Sequence, residues 1–326
     1  MSLHPVHALP RYLAPMAGLT HSAFRRVVAT LGGCDGFTTE MLSAKALLSD
    51  DFATSPYVKR SALERVLLYQ LMLANLDPVQ KVVGKVASMA VDGIDVNLAC
   101  HAPRIRGVRA GSSLFLDRVA LERTLGQLRA HWGGFLSVKV RLGSEGDGWE
   151  EVLRDRFDLF EQIGVDRITL HARFFEDKYK RRVRHELYPV VCGWTRLPMI
   201  ANGDLSDYGE VDRQRGNLES VGGIMVGRMA VVQPWLFAHW GGGSTVEPES
   251  VWWAVADAVL EDFPEKAALG RLKLFGLYFS RNYLFGHTFA VRLKAATSVA
   301  ALFAVARDFF ARAPQRVDQP HLGGLA

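Results

Sequence analysis

The sequence predicts a parallel (β/α)8 barrel followed by a small helical domain. Eight short apolar runs, rich in β-branched residues, recur before residue 227, and each is separated from the next by enough residues for a loop and a helix. Several runs end in polar residues, as they do at the C-terminal face of a barrel, where catalytic groups assemble. A doubly wound sheet is the alternative, but it would not usually have polar groups at every strand end.

The eight predicted strands alternate with segments that have a helical pattern. The strands comprise residues 12–15, 36–39, 67–71, 94–97, 136–141, 167–171, 199–202 and 223–226. The helices among the intervening segments comprise residues 23–31, 78–90, 119–131, 152–163 and 187–192. Since a helical crossover follows each strand, we expect the strands to be parallel and the crossovers right-handed.

A glycine-rich stretch at residues 241–244 ends this alternation. Helical patterns follow at 251–263, at 266–283 and in a last amphipathic stretch. We therefore divide the chain into a catalytic barrel domain, residues 1–240, and a helical domain, residues 241–326. The last ten residues, rich in Pro, Gly and His, are expected to form a frayed tail.

The composition is that of a folded protein with a sizeable core. Of the 326 residues, 49% are hydrophobic and 22% are charged. No apolar stretch approaches the roughly 18 residues needed to span a bilayer, and the N-terminus lacks the pattern of a secretory signal. Three cysteines without metal-type spacing fit a reducing compartment. We therefore expect a cytoplasmic protein without membrane or metal; the sequence does not determine the oligomeric state, and a monomer is the expectation.

Two basic clusters favour a polyanionic partner more strongly than the net charge of +5 does. The first follows Cys100 and comprises Arg104, Arg106 and Arg109. The second comprises Arg173, Lys178, Lys180, Arg181, Arg182 and Arg184. Both follow predicted strand ends and should lie at the barrel mouth, where they favour a surface for a phosphate backbone. Two solvated loops are the alternative.

The residues after the last two strands have the composition of a phosphate site. Asn202-Gly203-Asp204 and Gly227-Arg228 combine small residues, which let a ligand approach the backbone, with a guanidinium group. Barrel phosphate sites usually form in the loops after these two strands. A pair of ordinary glycine turns is the alternative.

Polar residues at three further strand ends fit a flat, anionic heterocycle. Lys139 lies in an otherwise apolar strand; it should reach the mouth, because a buried unpaired ammonium is costly, and there it could stabilise the anionic edge of a reduced flavin. Gln70 can donate to and accept from such a ring, or be a satisfied core residue. His171 and Arg173 alternate on one strand end and favour an anion or carbonyl ligand, although a lone histidine is more often structural.

Cys100 follows the fourth strand, next to His101 and ahead of three arginines. That setting would keep the thiol accessible and tune its acidity, so that it could act as a nucleophile or a general acid. A buried cysteine that serves only as a small apolar residue is the alternative. No serine or aspartate arrangement completes a hydrolytic triad around it, which favours proton donation.

The order of these motifs resembles the tRNA-dihydrouridine synthase family over nearly all of the chain. The matching segments are Leu13-Ala14-Pro15-Met16-Ala17-Gly18, Thr39-Glu40-Met41, Gln70-Leu71, Asp95-Val96-Asn97, Val138-Lys139-Val140-Arg141, Leu170-His171-Ala172-Arg173, Ile200-Ala201-Asn202-Gly203-Asp204, Gly227-Arg228 and Gln233-Pro234-Trp235-Leu236-Phe237. Single motifs are weak, but this order and spacing together are specific. The resemblance implies an FMN-containing barrel with a helical tRNA-binding domain.

The resemblance also implies roles for individual residues. NADPH would reduce the flavin, whose N5 passes a hydride to uridine C6 while Cys100 protonates C5. The implied flavin contacts are Pro15, Met16, Ala17, Gln70, Lys139, His171, Asn202, Gly203, Asp204, Gly227 and Arg228. The implied tRNA contacts are Asn97, Arg104, Arg141, Arg173, Lys178 and Tyr179.

Two departures from the family pattern bear on this chemistry. Ala99-Cys100-His101 stands where the family usually has Gly-Cys-Pro, so the loop that presents the thiol should be shaped differently. Phe174-Phe175 follows Arg173 where the family commonly has Thr-Arg. Since the cysteine and the flavin set are retained, we interpret the chain as a divergent, active member.

Two other functions remain open on the sequence alone. One is an FMN barrel acting on a free pyrimidine, as dihydroorotate dehydrogenases do, although a free base needs neither a helical domain nor two basic loops. The other is an RNA-binding protein that has lost catalysis, which the residues Ala99 and His101 motivate.

Overall fold

Eight parallel strands close the predicted barrel. The computed structural model describes residues 9–89, 91–177, 179–240, 242 and 246–325. The strands are β1 (Arg11–Leu13), β2 (Gly36–Thr38), β3 (Leu42–Ser43), β4 (Leu67–Met72), β5 (Gly93–Asn97), β6 (Phe135–Arg141), β7 (Arg167–His171), β8 (Met199–Asn202) and β9 (Gly223–Val226). They form one sheet in the order β2-β1-β9-β8-β7-β6-β5-β4-β3, and a further pairing of β2 with β4 closes the ring.

Each predicted strand matches a strand of the ring, with small differences at the ends. β3 was not predicted; it is a two-residue strand that pairs with the end of β4 and lies outside the ring. β1 ends at Leu13, two residues before the predicted end. Pro15 has no backbone N–H to donate to a neighbouring strand, which limits how far β1 can extend.

Helices connect the strands as the pattern predicts. They are α1 (Ser22–Leu31), α2 (Ala44–Leu47), α3 (Val79–Ala87), α4 (Pro103–Gly107), α5 (Ser112–Leu116), α6 (Arg118–His131), α7 (Trp149–Ile163), α8 (Tyr188–Cys192), α9 (Tyr208–Arg213), α10 (Arg215–Leu218), α11 (Arg228–Val232) and α12 (Leu236–Trp240). The Asp117 carboxylate caps α6 by accepting the Ala120 N–H at 3.0 Å. α3 ends earlier than predicted, and residue 90 lies outside the described residues.

The register of the parallel strands brings the predicted polar groups to one end of the barrel. Lys139 on β6 lies opposite Asn97 on β5. On the other side of β6, Arg141 lies opposite His171 on β7, which in turn lies opposite Asn202 on β8. Because all these strands run in the same direction, the five side chains surround the C-terminal mouth.

The remaining helices form an aromatic-rich layer that packs against the barrel. They are α13 (Pro248–Asp262), α14 (Glu265–Phe279), α15 (Gly286–Ala295) and α16 (Val299–Phe310), with a 3₁₀ turn at Ser280–Asn282. The 3₁₀ turn ends the helix that was predicted for residues 266–283. Asp262 of α13 accepts hydrogen bonds from Ser22 and Lys59 of the barrel.

Across the described residues, no helix combines the length and apolar character needed to cross a membrane. The division into domains at residue 240 remains a prediction.

The prediction of a frayed C-terminal tail is wrong for residues 317–325. The Val317 N–H donates to the Asn282 carbonyl at 2.9 Å, which fixes the start of this segment against the 3₁₀ turn. The segment then returns to the barrel mouth, where Leu325 is buried and its carbonyl accepts a hydrogen bond from Arg228 at 3.0 Å. The burial of Leu325 and the hydrogen bond from the charged Arg228 donor hold the end of this segment at the barrel mouth.

Candidate active site

Two adjoining pockets open at the C-terminal mouth of the barrel. The first, here called the glycine pocket, is defined by Asn202, Gly203, Asp204, Gly227 and Arg228. The second, here called the cysteine pocket, is defined by Asn97, Cys100, Arg141 and Tyr278. Both pockets are also lined by Pro15, Met16, Lys139, His171 and Tyr179, so they form one continuous site. Of the predicted flavin contacts, Gln70 lines neither pocket and Ala17 lines only the cysteine pocket.

Glycine is required at position 203 of the glycine pocket. Its φ angle is +110°, which L side chains rarely adopt, and a Cβ there would lie 2.5 Å from the His171 ring. At Gly227 a Cβ would lie 3.2 Å from the Met16 sulfur. Both glycines also line the pocket, so each loop contributes backbone without a side chain to it.

Asp204 organises the guanidinium groups at the rim of the glycine pocket. One carboxylate oxygen accepts from Arg228 at 3.0 Å, and the other accepts from Arg173. The φ angle of Asp204 is 51°, in the left-handed region that aspartate tolerates better than most residues. A carboxylate repels an anionic ligand, so Asp204 acts on such a ligand by positioning the two arginines.

The floor shared by the two pockets is cationic. Burial and the nearby charge of Arg141 lower the pKa of Lys139 to about 8. Burial, followed by the charges of Arg141, Lys139 and Arg173, also lowers the pKa of His171 well below its usual value. The imidazole is therefore neutral at pH 7. Its Nε2 lies 3.1 Å from Arg173 Nη1, and since a guanidinium can only donate, Nε2 is the acceptor and the ring proton is on Nδ1.

Tyr179 covers this floor from the loop after β7. Its ring lies between two guanidinium groups, 5.3 Å from that of Arg141 and 4.8 Å from that of Arg228, measured to the ring centroid. The His171 ring centroid is 6.3 Å away. Tyr179 is exposed, so an aromatic side chain lies at the entrance to the site.

A buried chain of hydrogen bonds connects the barrel interior to Cys100. Asp95 accepts from Ser137 at 2.5 Å and from the Gln70 amide at 2.8 Å. The Gln70 side-chain oxygen accepts from the Asn97 amide at 2.8 Å, and the Asn97 oxygen accepts from the Cys100 backbone N–H at 2.9 Å. Burial raises the pKa of Asp95, while its two hydrogen bonds lower it. Ser137 was not predicted as part of the site, because a serine within an apolar strand carries no distinctive signal.

Hydrogen bonds within the protein engage side-chain amide groups that were predicted to contact ligands. Both lone pairs of the Asn97 oxygen accept backbone N–H groups, from Ala99 and Cys100, so one amide hydrogen is left for a ligand. Gln70 is fully buried, with its oxygen and nitrogen both engaged. Asn202 donates its amide to the Met225 carbonyl at 2.8 Å and still lines the glycine pocket. The ligand contacts of these three residues remain predictions.

Cys100 is the cysteine that reaches the site among the described residues. Its carbonyl accepts the Ser112 N–H at 2.9 Å, and Gly111 packs so closely that a Cβ would lie 2.5 Å from that carbonyl oxygen. Cys34 and Cys192 line neither pocket. Burial raises the pKa of the Cys34 thiol to about 12 and that of Cys192 to about 11, so both stay protonated at neutral pH.

The two basic clusters differ in how far their charges are neutralised. Arg104 is exposed on α4, next to the loop that holds Cys100. In the second cluster Arg173 is buried against the glycine pocket, and Arg181 and Arg184 pair with Glu145 and Asp177. Lys178 lies outside the described residues. The exposed positive charge of this loop is therefore smaller than its sequence indicates.

Comparison with protein families matches residues 12–268 to a family described as dihydrouridine synthase (Dus). This match spans well over half of the chain. The chain belongs to the dihydrouridine synthase family. Members of this family are flavin-dependent oxidoreductases, so the protein is an enzyme of that class.

Individual relatives agree with this assignment. A probable tRNA-dihydrouridine synthase of Helicobacter pylori (strain ATCC 700392 / 26695) is 31% identical over 255 residues, which cover 77% of this chain and 75% of the relative. One of Aquifex aeolicus (strain VF5) is 29% identical over 231 residues, which cover 69% of this chain and 70% of the relative.

Solved structures match the barrel at much lower identity. The old yellow enzyme from Trypanosoma cruzi has a TM-score of 0.50 at 10% identity, over 78% of this chain and 94% of that one. Morphinone reductase has a TM-score of 0.51 at 10% identity, over 75% of this chain and 90% of that one. At such identity the likeness establishes the fold alone.

The two departures from the dihydrouridine synthase pattern have structural explanations. Ala99 is buried and its N–H donates to Asn97, so hydrogen bonds hold the Cys100 loop without the family's glycine and proline. Phe174 packs edge-on against Trp149, with ring centroids 5.4 Å apart. Phe175 packs edge-on against Phe115 at 5.9 Å. These two phenylalanines are core residues beneath the loop.

Proposed function

We propose that this protein reduces uridine in tRNA to 5,6-dihydrouridine, with FMN as prosthetic group and NADPH as reductant. The observation that carries the proposal is a half-buried thiol, Cys100, which lines the same pocket as Lys139 and His171 and adjoins the glycine pocket. The names of relatives from Helicobacter pylori and Aquifex aeolicus, both probable tRNA-dihydrouridine synthases, support the substrate.

The donor set suits FMN. A phosphate monoester would bind the bare backbone at Gly203 and Gly227 and the guanidinium of Arg228. The flat ring would lie against the surface that both pockets share, which is formed by Pro15, Met16, Lys139 and His171. When bound, the flavin, reduced by NADPH, supplies the hydride that uracil C6 accepts.

Cys100 completes the reduction by protonating C5 of the uracil. Hydride addition at C6 leaves the electron pair of the C5=C6 double bond on C5, and the S–H bond breaks as the new C5–H bond forms. The thiolate then regains a proton from water. His171 is a poor alternative acid because it is neutral and its Nε2 accepts a hydrogen bond from Arg173.

Lys139 supplies positive charge at the floor of the site. Because its pKa is about 8, the Lys139 side-chain amine is mostly protonated at pH 7. A protonated amine beside a flat ring stabilises negative charge that develops on the ring during reduction.

A tRNA partner fits the entrance of the site. Tyr179 is an exposed aromatic residue beside Arg141 and Arg228, and side chains of this kind commonly bind an unstacked base. Arg104 and Arg106 are exposed beside the Cys100 loop and can reach phosphate groups. Binding that depends on such contacts should weaken as salt concentration rises.

Product analysis tests the proposal. The purified protein should be yellow and, with NADPH, should form dihydrouridine in tRNA but leave free uridine and orotate unreacted. Cys100→Ala should bind FMN and oxidise NADPH yet form at least about 10²-fold less dihydrouridine, because a positioned acid contributes that much. Cys34→Ala is the matched control, since Cys34 is remote from the site. A colourless protein, or a Cys100→Ala variant with full activity beside an inactive His101→Ala, would refute the mechanism.

A further inference from the structure

One side chain from the C-terminal helices lines the cysteine pocket. Tyr278, near the end of α14, faces the same space as Cys100, Asn97 and Arg141. It is 3% exposed and is therefore buried at this position. No other described residue of α13 to α16 lines this pocket. The family match ends at residue 268, ten residues before Tyr278.

α14 is docked on the barrel by the same face that carries Tyr278. Arg271, Leu274 and Tyr278 are three and four residues apart, which places them on one side of the helix. Arg271 donates to the Tyr57 hydroxyl at 2.8 Å and lies 3.8 Å from the Glu40 carboxylate.

The docking is close enough to fix the position of the helix. A Cβ at Gly18 would lie 2.8 Å from Leu274 and 3.0 Å from the Arg271 guanidinium, so the β1–α1 loop touches the helix at a glycine. Gly18 also donates its N–H to Glu40 at 2.5 Å, which joins the loop, the end of β2 and α14 into one unit. Tyr278 is therefore held at the pocket by contacts on the preceding two turns of its helix.

The surroundings keep the Tyr278 phenol protonated. Burial raises its pKa, the nearby Arg228 charge lowers it, and Tyr179 raises it. The oxygen of a neutral phenol has lone pairs that can accept a hydrogen bond, such as one from the N–H group on the edge of a uracil ring.

We propose that Tyr278 binds the target nucleotide, with its ring as a wall of the uridine site and its hydroxyl as a hydrogen-bond partner of the nucleotide. The inference rests on the proposed function, because the cysteine pocket is taken there as the uridine site. The helical region would thus contribute directly to the reaction centre as well as to any contact with the rest of the tRNA. Removal of the hydroxyl should weaken productive binding of tRNA without affecting the flavin.

The test compares Tyr278→Phe with Tyr283→Phe. Tyr283 is a buried tyrosine of the same helical region that packs on Phe309 and lines neither pocket. Flavin content, thermal unfolding, NADPH oxidation without tRNA, and kcat and KM for tRNA are measured for each. Tyr278→Phe should raise the KM for tRNA and lower kcat/KM about tenfold, as the loss of one hydrogen bond predicts. Its flavin content and NADPH oxidation should equal those of the wild type, and Tyr283→Phe should be unchanged in all respects.

Two results overturn the inference and leave the proposed function standing. One is a Tyr278→Phe variant with wild-type kcat/KM; the other is a loss of flavin or thermal stability that accounts for its whole defect. If the wild-type protein forms no dihydrouridine in tRNA, the proposed function fails and the inference fails with it. Tyr278→Ala, which also removes the ring, should lose more kcat/KM than Tyr278→Phe, and equal losses would contradict a role for the ring.

Discussion

The side-chain oxygen of Asn97 accepts a hydrogen bond from the backbone N–H of Cys100 at 2.9 Å. The same oxygen accepts the Ala99 N–H at 3.2 Å, and the amide nitrogen donates to Gln70. Because three hydrogen bonds determine the orientation of this one amide, the loop that carries the thiol is held rigidly to the end of β5. The position of Cys100, the proposed acid, thus depends on Asn97, which was predicted to contact the tRNA.

Loss of this anchor should impair protonation more than cofactor binding. We expect Asn97→Ala to bind FMN normally and to form dihydrouridine roughly tenfold more slowly, because an unanchored thiol is no longer aligned with C5. Iodoacetamide labelling of Cys100, followed by mass spectrometry, should become faster. Ser137→Ala removes the far end of the same hydrogen-bond chain and should have a smaller effect. An Asn97→Ala variant with unchanged turnover would show that the anchor is dispensable.

Lys139 should give flavin reduction a characteristic pH dependence. Burial lowers its pKa to about 8, so the ammonium is charged below that pH and neutral above it. The rate of flavin reduction by NADPH should therefore fall as the pH rises through about 8. Lys139→Met should be slow throughout and lack this step, whereas Lys85→Met on α3 should keep it. Persistence of the step in Lys139→Met would assign the titration to another group.

A methyl group at position 203 should disturb the glycine pocket. Gly203→Ala places its Cβ 2.5 Å from the His171 ring at a φ of +110°, so either the loop or the histidine must move. Strain of this kind costs about 1–3 kcal/mol, and we expect FMN affinity to fall roughly tenfold or more. Gly84→Ala is the control, because nothing lies within 4 Å of its Cβ. Equal flavin content in both variants would place the phosphate elsewhere.

The ordered C-terminal segment should slow the release of FMN. Leu322 lines the glycine pocket, and the Leu325 carbonyl accepts a hydrogen bond from Arg228. Deletion of residues 318–326 should make FMN dissociate about tenfold faster, since Arg228 loses a partner and gains exposure to water. The recovery of free-flavin fluorescence after dilution measures this rate. Asp318→Ala, an exposed change in the same segment, should leave it unaltered, and an unchanged rate after deletion would exclude a role for the tail.

The ion pair between Arg25 and Glu64 should dominate the stability of the first helix. Both side chains are fully buried, with 2.5 Å between Arg25 Nε and Glu64 Oε1. Glu64→Ala leaves a buried guanidinium unpaired and should lower the free energy of unfolding by about 3–5 kcal/mol. Urea denaturation measures this loss. Arg196→Ala breaks the pair with Glu161, in which the arginine side chain is 91% exposed, and should cause little change. Similar losses in both variants would contradict this ranking.

Much of the site could be predicted because it lies at strand ends. Cys100, His171 and Gly203 each follow or end an apolar run, Lys139 lies near the end of another, and a parallel barrel brings all such ends to one mouth. The strand assignments alone were therefore enough to predict that these residues lie on the same face of the barrel. The roles of Gln70 and Asn97 could not be separated in the same way, because whether an amide faces a ligand or a neighbour depends on side-chain rotamers and not on position in the strand.

The sequence by itself determined the barrel, its eight parallel strands and the ring of polar groups at its mouth. These features follow from local hydrophobic periodicity and from the direction of the strands, both of which the order of residues encodes. Only the tertiary structure decided that Tyr278 lines the cysteine pocket, that the Leu325 carbonyl accepts a hydrogen bond from Arg228, and that α14 packs against Gly18. Each of these contacts joins residues about 100 or more positions apart, and its geometry depends on how whole helices pack, which no local pattern records.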